Sequence, residues 1–231
     1  AILNPTHNDI IIYRILDTLV GALLALFANH FFWPFWEFLN TNENIENSIK
    51  AIRNYLLQIS IFYNNKQDIN SNYRLARNQA FIEIGNLMAS FQRMLQEPKS
   101  KQNNLQQVYK ITVINNAMLS SVASLGTYTQ THKTTDASQS FNTVIKVIIS
   151  NLDQAIAILN GKKESKEIEN LDRVFSEIKK IRIDEINKSQ NLNEENLKIN
   201  LQEIQLIKEQ LIWLTNLSSN IVSTSKTLIQ S

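Results

Sequence analysis

The sequence predicts an all-α protein in which one N-terminal transmembrane helix precedes an antiparallel bundle of long helices. A continuous apolar stretch lies near the start of the 231-residue chain. Beyond it, apolar residues recur at three- and four-residue steps, and no window shows the alternation of apolar and polar residues that is typical of a half-buried strand. We therefore expect residues 1–38 to form the membrane helix with an aromatic segment, and residues 39–231 to form an α-helical domain.

The membrane helix is predicted from the segment Ile10–Trp36. As a helix rising about 1.5 Å per residue it would be about 40 Å long, which is enough to cross a hydrocarbon core about 30 Å thick. Its middle part, Leu19–Ala28, has no polar side chain. Pro34 is expected to end the helix. The segment closes with aromatic side chains of the kind that settle at the boundary between bilayer and water, namely Phe31, Phe32, Trp33, Phe35 and Trp36.

Two charged residues lie in the membrane segment, Arg14 and Asp17. Their spacing of three residues places them on one face of a helix, where they could form an ion pair that must face protein or water within a bilayer. Gly21 and Ala25 are one turn apart and would allow a second membrane helix to approach closely. The alternative is a core helix of a soluble protein, with both charges exposed at its first turn. Basic residues flank both ends, so they do not set the orientation.

The remaining chain predicts six helices. The first begins at Thr41 as its N-cap, Pro98 closes the second, and Gly161 is suited to the C-cap of the fourth. The last helix would be about 50 Å long and would form the spine of the bundle. The predicted ranges are Thr41–Tyr63, Asn72–Glu97, Gln102–Leu125, Ser140–Asn160, Leu171–Ile186 and Asn193–Leu228.

Side-chain patterns in these helices predict which residues face the core. On the first helix an apolar stripe comprises Ile45, Ile49, Ile52, Leu56, Ile59 and Tyr63. The second helix is expected to direct Phe91 and Leu95 inward, and Trp213 of the last helix is assigned to the core. Residues Thr127–Ser140 contain almost no apolar side chain and are predicted to be an exposed loop.

No catalytic set or cofactor site is expected. The chain has no Cys, which excludes disulfide scaffolds, thiolate metal sites and cysteine nucleophiles. His7, His30 and His132 are too far apart to indicate a metal site, and no nucleophile, base and orienting residue can be named together, so we do not expect an enzyme. Because 23 basic residues balance 21 acidic ones, nucleic acid is not an expected partner either.

Two stretches of the sequence resemble the fusaric acid resistance-like (FUSC) family, in particular its YccS/YhfK-type inner-membrane branch. Residues Arg14–Trp36 are similar to the Arg-x-x-Asp-Thr-x-x-Gly signature that opens a late membrane helix of the family. Residues Tyr73–Gln102 are similar to a block of its cytoplasmic domain. The positions that match these motifs are Arg14, Asp17, Thr18 and Gly21 in the first stretch, and Arg93, Glu97 and Pro98 in the second.

The resemblance implies that this chain is the C-terminal part of a bacterial inner-membrane protein related to efflux of aromatic or other small organic anions. Residues 39–231 would lie in the cytoplasm and serve assembly or regulation. The partners would be the lipid bilayer, other membrane helices of the full-length protein and further copies in a homo-oligomer. A soluble helical-bundle module for protein interactions, without a transport role, is the alternative that the residue pattern leaves open.

Overall fold

The computed structural model describes residues 7–31, 37, 40–65, 71–102, 104–131, 139–161, 176 and 194–230. All regular elements within these residues are helical, which confirms the predicted all-α class. The chain divides into two compact units, Ala1–Trp36 and Glu37–Ser231. Each unit is described by itself below. The α-helices are α1 (His7–Phe31), α2 (Thr41–Asn65), α3 (Ser71–Met94), α4 (Leu105–Thr131), α5 (Gln139–Leu159) and α6 (Glu194–Gln230).

Helix α1 is the apolar helix that the sequence predicts, although it begins at His7, three residues earlier than expected. Its 25 residues correspond to a length of about 38 Å. Every residue from Ile10 to Ala28 is exposed, and this range is long and apolar enough to cross a membrane. The predicted end of the helix at Pro34 lies outside the described residues. Helix α5 is also long and apolar, but 44% of its apolar window Phe141–Leu159 is buried, as in a bundle helix.

The second unit is a helical bundle centred on α2, which packs against α3, α4 and α5. Helix α6 packs against α4 and α5. Helices α2 and α5 are antiparallel, because Asn64 pairs with Asn142 near one end and Glu46 accepts a bond from Asn160 near the other. The beginning of α4 lies beside the end of α6, where Asn104 Nδ2 donates to the Leu228 carbonyl over 3.4 Å. Helix α6, which the sequence predicts to be the long spine of the bundle, is thus antiparallel to α4.

Apolar stripes of these helices form one core. The predicted stripe of α2 is confirmed, because all six of its residues are buried. Burial of each large aliphatic side chain contributes about 1.5–3 kcal/mol relative to its exposed state. The other helices add further completely buried residues to the same cluster, among them Leu87, Ile111, Met118, Leu125, Ile148, Leu152, Leu211, Leu214 and Ile221.

Two buried hydrogen bonds of the same type link helices across this core. Asn115 Nδ2 of α4 donates to Ser48 Oγ of α2 over 2.9 Å. Asn151 Nδ2 of α5 donates to Ser218 Oγ of α6 over 3.0 Å. Each serine hydroxyl in turn donates to the carbonyl three residues earlier in its own helix. Each pair therefore gives a partner to an asparagine Nδ2 and a serine hydroxyl, groups that would be costly to bury alone.

Two apolar residues predicted to face the core are exposed. Leu95 is 48% exposed, because α3 ends at Met94 and Leu95 belongs to the following turn. Trp213 is 51% exposed. At about 100° per residue it lies on the side of α6 opposite Leu211, which is fully buried. Phe91, also predicted to face inward, is half-buried and packs on the core.

The loop predicted for Thr127–Ser140 is wrong at its beginning, since α4 continues to Thr131. Thr129 is buried, and its hydroxyl donates to the Gly126 carbonyl over 2.9 Å. Gln130 Nε2 donates to the Tyr73 hydroxyl. Because these polar side chains have hydrogen-bond partners within the fold, they do not interrupt α4. Residues 132–138 lie outside the described residues, as does the predicted helix Leu171–Ile186 apart from Ser176.

Gly161 takes the C-cap position predicted for it. Its φ of 69° lies in the left-handed region, and its N–H donates to the Ile158 carbonyl over 2.9 Å. Glycine adopts this conformation without the steric cost that a Cβ adds. The end of α5 is therefore fixed by local backbone geometry.

At Gly126, α4 lies close to side chains of both α2 and α3. A Cβ added there would lie 2.7 Å from the Tyr73 hydroxyl oxygen, 2.9 Å from that of Tyr55 and 3.0 Å from Ile59 Cδ1. The two tyrosine hydroxyls are 3.3 Å apart, and burial raises the pKa of the Tyr55 phenol. Because these rings are buried, they cannot swing aside as an exposed side chain would.

Gly126→Ala should lower the free energy of unfolding by about 1–3 kcal/mol, because the added methyl group overpacks the contact with the two tyrosines. Gly85→Ala is the matched control, since a Cβ at that exposed position of α3 meets no atom within 4 Å. The control should raise stability by about 0.5–1 kcal/mol through its helix propensity. Urea unfolding of the detergent-solubilised chain, followed by circular dichroism, compares the two; similar changes in both variants would contradict the packing argument.

Candidate functional site

The four residues of the first motif lie on one face of α1. At about 100° per residue, Arg14, Asp17, Thr18 and Gly21 fall within an arc of about 100°. Arg14 and Asp17 are both exposed. The Thr18 hydroxyl donates to the Arg14 carbonyl over 2.8 Å, and a Cβ at Gly21 would meet nothing within 4 Å. This face therefore carries two charges beside a small residue.

The ion pair suggested between Arg14 and Asp17 is not formed. Ion pairs of the described residues join Lys50 to Glu46, Arg53 to Asp153 and Arg93 to Glu37. Arg14 instead shares a shallow groove of α1 with the apolar side chains of Ile11, Ile15, Leu19 and Ala22 and with Thr18. In a bilayer each charge on this face must meet protein, water or a ligand.

Two residues of the second motif meet at Glu37. The Arg93 guanidinium binds the Glu37 carboxylate through Nη2, and the Glu37 backbone N–H donates to Glu97 Oε1. Glu37 is only 7% exposed, although it is charged. We call these three residues the Glu37 clamp. Arg93 and Glu97 thus hold both the side chain and the backbone of the residue at which the second unit begins.

The start of α2 is built on the same residue. The Glu37 carbonyl accepts bonds from the Asn40 N–H over 3.0 Å and from the Thr41 hydroxyl over 2.9 Å. Thr41, predicted as an N-cap, is instead the first helical residue, and its hydroxyl points back to Glu37. The Glu37 clamp therefore fixes where α2 begins.

The position of Glu97, which binds the backbone of Glu37, depends on where α3 ends. The helix stops at Met94 rather than at the predicted Glu97. Gln102 Nε2 then donates to the Glu97 carbonyl over 2.8 Å. Pro98 follows in an extended conformation, with ψ of 142°, and precedes the 3₁₀ helix Lys99–Lys101. Because a residue before proline avoids the helical region, Pro98 helps to keep Glu97 outside the helix.

Electrostatics keep Glu37 ionised. The hydrogen bond from Arg93 lowers the pKa of the Glu37 carboxyl, burial acts in the opposite direction, and the Ser90 hydroxyl lowers the pKa further. The same bond with Glu37 raises the pKa of the Arg93 guanidinium. A buried carboxylate is costly unless it is paired in this way. Sequence analysis missed Glu37; the available signal was a lone carboxylate directly after the aromatic run.

Comparisons with known proteins identify two relatives of this chain. An uncharacterized protein of Haemophilus influenzae is 30% identical over 164 residues, which are 67% of this chain and 23% of that protein. The inner membrane protein YccS of Escherichia coli is 27% identical over 120 residues, which are 52% of this chain and 17% of YccS. The matched region is thus less than a quarter of the length of either relative. No protein-family profile matches the chain, and no solved structure matches it. The chain is therefore similar to one part of a much longer inner membrane protein.

Arg93→Ala should destabilise the protein by about 1 kcal/mol at pH 7, because it leaves the buried Glu37 carboxylate without its cation, although the 57% exposed Arg93 side chain allows water to screen the pair. Glu37 has a folded-state pKa below its ordinary value of 4.5. Its contribution to stability is therefore complete above that value and is lost as the pH falls through the folded-state pKa. The difference between wild type and Arg93→Ala should accordingly shrink below about pH 4.5.

Urea unfolding at several pH values between 7 and 3 measures this difference. Arg74→Ala is the control, since it removes an exposed arginine from the same helix. It should change stability by less than about 0.5 kcal/mol at every pH. An Arg93→Ala effect that is equally large at pH 7 and pH 3 would contradict the pairing with an ionised Glu37.

Proposed function

We propose that this chain is part of a bacterial inner-membrane transporter-like protein of the YccS type, which exports aromatic or other small organic anions. In this proposal α1 crosses the membrane, the bundle from Glu37 onward lies in the cytoplasm, and the role is transport or its regulation rather than catalysis. The observation that carries the proposal is an exposed, apolar helix α1 in a chain similar to an inner membrane protein.

Lipid is the solvent that suits α1. The side chains from Ile10 to Ala28 are exposed around the whole helix, and outside the face that carries Arg14, Asp17 and Thr18 they are almost all apolar. Water would solvate such a surface unfavourably, whereas hydrocarbon solvates it well. The backbone of a helix satisfies its own hydrogen bonds, and the Thr18 hydroxyl is satisfied by the Arg14 carbonyl.

Arg14 is the residue that we propose to meet the transported anion. Its guanidinium can bind a carboxylate through two parallel hydrogen bonds. Asp17 lies on the same face and would compete with the anion for Arg14, which favours release after binding. Gly21 and Ala25 would let another helix of the full-length protein close the other side of the pathway.

The bundle is proposed to serve assembly or regulation of the membrane part. The Glu37 clamp supports this role because it holds the backbone immediately after the segment that leaves α1. A displacement of the bundle would therefore move the backbone of the chain at Glu37. Arg93 and Glu97 would then act as anchors for the Glu37 side chain and backbone rather than as ligands of a transported molecule.

Single cysteines can test the topology, because the native chain has none. Leu23→Cys, in the middle of α1, should resist a membrane-impermeant thiol reagent under all conditions that keep the bilayer intact. Leu75→Cys, which is 67% exposed on the bundle, should react only after the cytoplasm is opened. Reaction of Leu75→Cys in intact spheroplasts would contradict the orientation, and recovery of the protein in the soluble fraction without detergent would favour the soluble interaction module.

Arg14→Gln in the full-length protein should reduce export of an aromatic carboxylate about tenfold or more, because a charge-assisted hydrogen bond contributes about 1.5–3 kcal/mol. Arg14→Lys should retain part of the activity, since it keeps the charge but loses the two-pronged geometry. Leu16→Ala is the control on the opposite face of α1. Unchanged export with normal protein level in Arg14→Gln would overturn the role of Arg14, and loss of protein level alone would favour a structural role.

A further inference from the structure

One end of the bundle combines exposed apolar and basic side chains. This end, which we call the Glu37 end, holds the Glu37 clamp, the beginning of α4 and the end of α6, since Asn104 bonds to Leu228. Tyr109 of α4 is 57% exposed and packs its ring on Phe91, with ring centroids 5.7 Å apart. Leu95 and Ile229 are 48% and 45% exposed. Three helices or their ends therefore each present a large apolar side chain here.

We propose that the Glu37 end rests on the cytoplasmic surface of the bilayer and binds anionic lipid. Leu95, Tyr109 and Ile229 enter the headgroup region, and Lys99 and Lys110 contact lipid phosphates. This inference rests on the proposed function in one respect, namely that α1 crosses the membrane. It adds a second, peripheral contact between the protein and the lipid.

The covalent chain limits how far this end can be from the bilayer. Helix α1 ends at Phe31, and Glu37 is held by the bundle. Six residue steps separate the two positions and reach at most about 20 Å when fully extended. The Glu37 end is therefore the part of the bundle that the sequence tethers closest to the membrane, whatever path those residues take.

The chemistry of the surface fits lipid headgroups. Tyrosine and aliphatic side chains settle at the interface, where an apolar body and a polar tip are both solvated. Of the acidic groups at this end, Glu37 binds Arg93, Glu46 binds Lys50, and one carboxylate oxygen of Glu97 accepts the Glu37 backbone N–H. Lys99 and Lys110 are exposed, and Glu43 is the exposed acidic residue described nearby. A cytoplasmic leaflet with anionic lipids attracts such lysines.

Exposed apolar residues at the far end of the bundle provide matched controls. Leu75 lies 20 residues before Leu95, which corresponds to about 30 Å along α3. Leu206 lies 22 residues before Leu228 in α6, which corresponds to about 33 Å. Both are more exposed than Leu95, at 67% and 58%. These two control residues are apolar like Leu95 and Ile229, but they lie farther along the bundle from Glu37.

The test places a fluorescent label on single cysteines of the whole chain in phosphatidylcholine nanodiscs with or without phosphatidylglycerol. The positions are Leu95→Cys, Tyr109→Cys and Ile229→Cys, with Leu75→Cys and Leu206→Cys as controls. A lipid with a spin label on its headgroup should quench the first three labels at least twofold more than the controls. The double variant Lys99→Glu/Lys110→Glu should lower this quenching in discs with phosphatidylglycerol and leave it unchanged in phosphatidylcholine alone.

A label at Leu23→Cys, quenched by a lipid spin-labelled deep in its acyl chain, reports separately on α1. If Leu23 is quenched while the three labels at the Glu37 end behave like the controls, the lipid contact is wrong and the membrane helix stands. If Leu23 is not quenched, the proposed function fails. Cross-links between copies through Tyr109→Cys, without headgroup quenching, would assign this surface to a second copy and would also overturn the inference. Equal quenching of the Leu95→Cys, Tyr109→Cys and Ile229→Cys labels with and without Lys99→Glu/Lys110→Glu in anionic discs would overturn the role of the lysines.

Discussion

The packing of α2 is the constraint on which the rest of the bundle depends. Helices α3, α4 and α5 all contact it, and its apolar stripe is completely buried among them. Its starting point is set by Glu37, a buried carboxylate that Arg93 neutralises. Central packing and the position of the chain at its entry into the bundle are therefore coupled through one ion pair.

Most of the fold could be predicted from the sequence, because helices bury residues at a regular spacing. The α2 stripe and the C-cap at Gly161 follow from local rules and are confirmed. The loop expected at Thr127 was wrong because its polar residues find hydrogen-bond partners, one of which, Tyr73, belongs to another helix. The prediction that Trp213 faces the core was made from its place beside the apolar stripe of the last helix, and it was wrong because Trp213 lies on the side of α6 opposite the buried Leu211.

The candidate site could be predicted only in part, for a related physical reason. Spacing along one helix is enough to place Arg14 and Thr18 on a common face of α1. It does not reveal the bond between Arg93 and Glu37, which are separated by 56 residues and meet only through the tertiary fold. A charged residue that is buried by a distant partner has no periodic signal. The structural role of Glu37 becomes apparent from the tertiary structure, which shows both its burial and its ion pair with Arg93.

The two Asn to Ser hydrogen bonds inside the bundle restrict how it can change shape. Sliding one helix of either pair by a single turn, about 5.4 Å, would separate Asn115 from Ser48 or Asn151 from Ser218. The asparagine amide would then be buried without this hydrogen-bond partner. Piston-like movement is therefore disfavoured. The bundle therefore resists sliding of α4 along α2 and of α5 along α6.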